Sequence, residues 1–259
     1  MLERIDCYWR VFGTAFNFSV FGLGGLMLRI VVFPVLNLLV WERQLRIRLS
    51  RNVIRHAFRA FIGLLRIVGI LRYEIVGLER LERNGLLILA NHPTLIDTVF
   101  LMAFVKRADC IVKSALWRNP FTRGPVRAAG YVSNESGVGL VEDCIESLRC
   151  GSNLIIFPQG TRTPSDGSIS FKRGAANIAI RGRRNVTPIV IHCTPPMLGK
   201  GVKWWRVPPR RSHFRIEVKE DLDVQPFIER AGSEALAARH LTDHLQDYFI
   251  RASKRDAAA

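Results

Sequence analysis

From residue 73 onward the chain repeats one texture, in which short apolar runs end in polar loops and helical patterns lie between them. The apolar runs predict strands at 73–76, 86–90, 110–113, 131–132, 153–157, 187–192 and 214–218. The intervening stretches predict helices at 95–105, 138–149 and 172–182. Strands that alternate with helices restrict the fold to the α/β class, because a crossover helix returns the chain to begin the next strand parallel to the last. The expected architecture is a mixed, mostly parallel sheet flanked by helices. No repeat or linker divides residues 73–259, so they form one α/β domain.

The front of the chain has a different character. Residues 11–28 carry no charge, and after Arg29 the apolar run resumes over 30–41. That length reaches across a bilayer or lies deep in one leaflet. Arg29, Pro34 and Gly22, Gly24 and Gly25 complicate a straight span, since an arginine at the centre of a spanning helix costs roughly 2.5–3.5 kcal/mol. A spanning helix and a monotopic, kinked or hairpin element both fit. Glu3 and Asp6 dilute any positive leader, and no small-x-small site closes the run, so it does not read as a cleaved signal. Residues 42–72 then place Arg43, Arg46, Arg48, Arg51, Arg55, Arg59, Arg66 and Arg72 among apolar residues. Those at 54, 58, 61, 62 and 65 follow helical spacing. A basic amphipathic helix after an apolar segment reads as a membrane-surface element. Residues 1–72 are therefore expected to form an N-terminal helical membrane-binding anchor.

The formal net charge of +16 points to anionic surroundings, which nucleic acid, anionic lipid or a phosphorylated substrate would each supply. The arginines cluster beside the apolar segment and no nucleic-acid-binding signature occurs, which favours membrane lipid over nucleic acid. Five cysteines without a CxxC pair describe neither a disulfide framework nor a zinc ribbon, and suit a reducing, cytosol-facing location. His240 and His244 are four residues apart but lack the glutamate and third ligand of a metal site. Trp204-Trp205-Arg206, followed by Pro208-Pro209-Arg210-Arg211, fits either an interfacial anchor or an ordinary packed loop.

In α/β sheets, chemistry gathers just past the carboxyl ends of the strands. Two loops occupy such positions. The first is Asn91-His92-Pro93-Thr94-Leu95-Ile96-Asp97, in which His92 is a potential base and Asp97, five residues on, a potential orienting carboxylate. Pro93 suits a turn entering a helix that would bring Asp97 back beside His92. No serine, threonine or cysteine is poised as a nucleophile, which favours direct attack by an acceptor hydroxyl. The second loop is Pro158-Gln159-Gly160-Thr161-Arg162, which joins a flexible backbone, a hydroxyl and a guanidinium suited to an anion.

Together these loops resemble the signatures of the glycerophospholipid acyltransferase family, which includes bacterial lysophosphatidic acid acyltransferases. NHxxxxD is met by Asn91 to Asp97, and FPEGTRS is similar to Phe157-Pro158-Gln159-Gly160-Thr161-Arg162-Thr163. The stretch from Lys113 through Pro120 to Gly124 and the proline-bearing Val186-Thr187-Pro188-Ile189-Val190 look like two further blocks, in the family's order. The resemblance implies that His92 is the general base and Asp97 its orienter. It implies that Lys113 and Arg162 bind the acceptor's phosphate, with Gln159, Gly160 and Thr161 in the same substrate-binding pocket. Acyl-CoA or acyl carrier protein would be the donor, with no metal or other cofactor, at the cytoplasmic face of a membrane. Three departures fall on the acceptor side: Gln159 and Ala115 stand where glutamates are usual, and Ser136 where an arginine is expected. The acceptor is accordingly expected to be lysophosphatidic acid or a related lipid alcohol. The competing expectation is a catalytically idle membrane-binding scaffold of the same fold.

Overall fold

The apolar runs pair into one sheet in a computed structural model that describes residues 2–112, 123–133, 139–164 and 166–255. Seven strands are described: β1 (Leu71–Val76), β2 (Leu87–Ala90), β3 (Ala108–Val112), β4 (Val132–Ser133), β5 (Asn153–Ile156), β6 (Val186–Thr194) and β7 (Ser212–Val218). Their order across the sheet is β1-β7-β6-β2-β5-β3-β4. Every pairing is parallel except β6 with β7. The central strands β2 and β5 are buried along their whole length, as expected of parallel strands covered on both faces.

Successive side chains of β2 point to opposite faces and so feed two cores. Ile88 and Ala90 join Ile189, Phe214 and Ile216 on one side, under α4 (Asp97–Phe104) and the long α3 (Arg43–Ile67). Leu87 and Leu89 join Leu154 and Val190 on the other. There α6 (Leu140–Arg149), α7 (Gly174–Gly182) and the C-terminal α9 (Glu234–Arg255) supply Cys144, Leu148, Ile178, Leu241, Leu245 and Phe249. Two shorter α-helices, α5 (Arg123–Ala128) and α8 (Gln225–Arg230), and a 3₁₀ helix (Leu78–Glu82) complete the described elements of this unit. His240 and His244 are exposed on α9, with the His244 ring against Phe227.

The N-terminal third corrects one expectation and sharpens another. The basic amphipathic helix α3 was expected to lie on a membrane. Instead its apolar stripe, Ile54, Phe61, Ile62 and Leu65, is buried in the first core. Arg51 on the same helix is drawn inward too. It donates to Asp109 Oδ2 (2.8 Å), Ser152 Oγ (2.9 Å) and the Ala129 carbonyl (2.9 Å), so α3 is tied to the edge of the sheet. A helical apolar period states which face needs cover, and here the sheet provides it.

The apolar segment forms α1 (Leu2–Met27), a π-helical turn (Leu28–Val32) and α2 (Phe33–Leu39). Pro34 has no N–H to give the preceding turn, which accounts for the switch of hydrogen-bond spacing beside it. The stretch Asp6–Leu39 is long and apolar enough to cross a membrane. Its orientation is inverted relative to a helix of a water-soluble protein. Arg10, Thr14 and Asn17 are buried, whereas Tyr8, Trp9, Phe12, Phe16, Leu23, Met27 and Ile30 are exposed. The buried stripe approaches closely at Gly13, where an added Cβ would lie 2.8 Å from Ile70 and 2.9 Å from Val68.

Candidate active site

Both loops singled out in the sequence lie past the carboxyl ends of adjacent strands, β2 and β5, and they touch. Beyond Ala90, the Asn91 side chain continues the sheet in place of main chain. Its amide donates to the Ile191 carbonyl (2.8 Å), and its oxygen accepts the Ile191 N–H (2.7 Å). This pins the start of the loop and turns His92 out of the sheet.

Pro93 and Thr94 then fold the chain back so that Asp97, the first residue of α4, reaches the His92 ring. Nδ1 of His92 donates to Asp97 Oδ2 at 2.9 Å. The same oxygen accepts the Thr94 N–H (2.6 Å), and Oδ1 accepts the Thr94 hydroxyl (2.5 Å). Asp97 is completely buried. Burial pushes its carboxyl above the usual carboxylate range, and the His92 ring and the two Thr94 donors oppose that shift. A helix N-terminus also favours negative charge there. Because Nδ1 is committed to Asp97, the neutral ring presents an unprotonated Nε2. Among the described residues nothing hydrogen-bonds that nitrogen. The imidazole is further fixed by stacking on Phe157, with ring centroids 4.2 Å apart and planes inclined by 24°.

The second loop is built around Gly160, whose φ of +67° lies in the left-handed region that glycine adopts without strain. Its N–H returns to the Phe157 carbonyl (2.9 Å), closing the turn. Gln159 faces inward and is buried. Its Oε1 accepts the His92 main-chain N–H (3.1 Å) and the Thr163 hydroxyl (3.2 Å). The Thr163 N–H in turn donates to the His92 carbonyl (2.7 Å). Gln159 therefore braces one loop against the other. Thr161 is exposed, and Arg162 is half-buried with Nη1 shared between the carbonyls of Leu198 and Gly199, 2.9 Å from each. The other guanidinium nitrogens have no partner among the described residues. Lys113, Ala115 and Ser136 lie outside the described residues.

Sequence reasoning missed several participants. Thr94 holds Asp97, Phe157 carries the His92 ring, and Leu198 offers its carbonyl to both Arg162 and the Leu95 N–H (3.1 Å). Lys172 lays its side chain over Gly160, and a Cβ added there would meet Lys172 Cε at 3.1 Å and Nζ at 3.2 Å. Thr94 and Phe157 sat inside the quoted motifs, so their position was a usable signal. Lys172 and Leu198 had none.

The structure thus brings a His–Asp pair beyond a parallel strand beside a glycine turn that carries Arg162. Residues 72–192 of the chain match the family model described as acyltransferase. Among its relatives is the 1-acyl-sn-glycerol-3-phosphate acyltransferase of Pseudomonas aeruginosa, 29% identical over 145 residues, covering 54% of this chain and 56% of that protein. The protein of the same name from Borreliella burgdorferi is 24% identical over 184 residues, covering 68% and 70%. Against the Pseudomonas relative, the chain spans little more than half of that protein's length. The crystal structure of the 1-acyl-sn-glycerophosphate acyltransferase PlsC from Thermotoga maritima superposes with a TM-score of 0.69 at 22% identity, covering 97% of this chain and 98% of that one, so the two share a fold.

Proposed function

We propose that the protein is an O-acyltransferase that moves a fatty acyl group from acyl-CoA or acyl carrier protein to a hydroxyl of lysophosphatidic acid or a related lipid alcohol. The observation that carries this reading is the 2.9 Å contact between His92 Nδ1 and a fully buried Asp97, which leaves Nε2 to act as base. His92 Nε2 takes the acceptor's hydroxyl proton as its oxygen attacks the thioester carbonyl. The tetrahedral intermediate collapses by breaking the carbon–sulfur bond, and the departing thiolate takes the proton back from His92. The products are an ester and a free thiol, and His92 is regenerated. Asp97 holds the imidazole in the required tautomer and offsets its transient positive charge. The unpartnered nitrogens of Arg162, with Lys172 across the Gly160 turn and Lys113, bind the acceptor's phosphate.

Membrane association agrees with this substrate class. The long helix turns aromatic and aliphatic side chains outward and keeps its polar stripe against the protein. We place the site at the cytoplasmic face, where acyl thioesters are available. The test is thioester turnover by purified full-length protein with lysophosphatidic acid in mixed vesicles. His92→Ala should lower turnover by at least about 100-fold, with the circular dichroism spectrum unchanged. Undiminished turnover in that variant would sink the mechanism, and no turnover with any lipid alcohol would favour the idle scaffold.

A further inference from the structure

The turn that holds Arg162 is the start of a segment with unusual surface chemistry. Met197 and Leu198 are buried, and Leu198 has a left-handed φ of +51°, which sends the following residues outward. Val202, Trp204 and Trp205 are then 44%, 43% and 48% exposed, although large apolar side chains of that kind are normally covered. Two turns shape the segment, with Val202 N–H donating to Gly199 O (3.3 Å) and Arg206 N–H to Lys203 O (3.0 Å).

The segment is continuous with the outward-facing helix. Trp204 meets Phe18 of α1 edge-on at 6.5 Å, and Trp205 packs edge-on against Trp204 at 5.5 Å. Arg10 of α1 donates to the Pro209 carbonyl (2.9 Å), closing the contact from the other end. The charge is of one sign: Lys200, Lys203, Arg206 and Arg210 flank the tryptophans, and no aspartate or glutamate occurs from Pro195 to Ile216. Lys203 sits over the Trp205 ring at 5.1 Å. Half-exposed indoles in a basic, acid-free segment, one of them under Lys203, match the interface of an anionic bilayer, with ring at headgroup depth and cation on phosphate. A protein partner would have to present an apolar patch ringed by acids, and nothing continuous with α1 requires one.

We propose that the 199–206 segment is a second membrane contact, docking on an anionic bilayer beside α1 and seating the His92 and Arg162 loops on the lipid surface. The tie to the site is direct, because Leu198 O accepts from Leu95 of the His92 loop and from Arg162, and Gly199 O accepts from Arg162 as well. Leu95 is itself an exposed apolar residue at this rim. Acceptor lipid can then reach His92 without leaving the bilayer. This role for the segment rests on the acyltransferase reading, whereas its contact with lipid does not.

The two parts are tested separately on the full chain. In a variant whose other tryptophans are replaced by phenylalanine, Trp204 and Trp205 fluorescence should be quenched by brominated phosphatidylcholine vesicles containing phosphatidylglycerol. Soluble bromide should quench the same tryptophans less once vesicles are present. Unchanged fluorescence on vesicles that bind the protein overturns the docking, whatever the enzyme does. The double variant W204A/W205A should lose about tenfold in transfer to lysophosphatidic acid held in those vesicles, less than the ~100-fold that misplacing a catalytic group can cost. Transfer to a short-chain, water-soluble acceptor should change by less than about twofold. Equal losses on both acceptors would make the tryptophans structural and overturn the seating role. An inactive wild-type protein whose tryptophans are still quenched would refute the acyltransferase reading and the seating role, leaving the lipid contact standing.

Discussion

The main-chain N–H of His92 donates to Oε1 of Gln159 across 3.1 Å, so a buried side chain braces the His92 loop against the Arg162 loop, beside the main-chain bond from Thr163 to His92. The accepting atom is a carbonyl oxygen, which a carboxylate would also supply. Gln159→Glu should therefore keep near-normal turnover. Gln159→Leu leaves the His92 N–H and the Thr163 hydroxyl without that acceptor, at a cost of about 1–3 kcal/mol. Thermal unfolding of the two variants beside wild type checks the contrast, and equal melting temperatures for Glu and Leu would contradict the brace.

Asp97 is buried with three donors around its carboxylate. Asp97→Asn keeps the shape but no longer stabilises the Nδ1–H tautomer or the imidazolium. Turnover should fall by about 10⁴-fold, as for other His–Asp pairs of this geometry. Thr94→Val removes only the hydroxyl donor and should cost much less, roughly tenfold, the size of one lost hydrogen bond to a charged group. Steady-state kinetics order the three proteins, and a Thr94→Val effect as large as that of Asp97→Asn would refute the division of roles.

Lys172 overlies Gly160 and adds a cation to the turn that holds Arg162. Lys172→Met should raise KM for a phosphorylated acceptor about tenfold, the worth of one charge-assisted hydrogen bond. KM for an uncharged lipid alcohol should stay the same. Equal KM changes on the two acceptors would show that Lys172 shapes the turn without meeting the phosphate.

Asp221 accepts two hydrogen bonds from Arg83 (2.7 and 2.9 Å) and one from Thr187 of β6 (2.7 Å). The Arg83 guanidinium, chiefly, holds its carboxyl below the usual range, with help from Thr187. A depressed native pKa adds stability that is present above the unfolded value of about 3.9 and is lost as pH falls through the native value. Asp221→Asn should cost about 1 kcal/mol near neutral pH, discounted because Arg83 is half exposed. The melting-temperature gap to wild type should close on acidification below about pH 4. A gap that persists unchanged into strong acid would rule out this ion pair as its source.

The sequence by itself determined the α/β class, the strands and the two loops that follow β2 and β5. Each was written in local pattern: buried runs such as 153–156, a histidine and an aspartate five residues apart, a glycine where the turn needs positive φ. The family resemblance put Gln159 in one site with His92, and the two are in contact. Only the tertiary structure decided what covers each apolar face. The stripe of α3 looked suited to a bilayer, yet Ile54, Phe61, Ile62 and Leu65 pack on the sheet, while α1 turns its polar stripe inward. The physical reason is that helical periodicity records that a face is apolar, and core and lipid satisfy it equally. The partnerships of Gln159 with His92 and Leu198 with Arg162 join residues far apart in the chain. No local pattern encodes such pairs, and they exist because β2, β5 and β6 lie side by side.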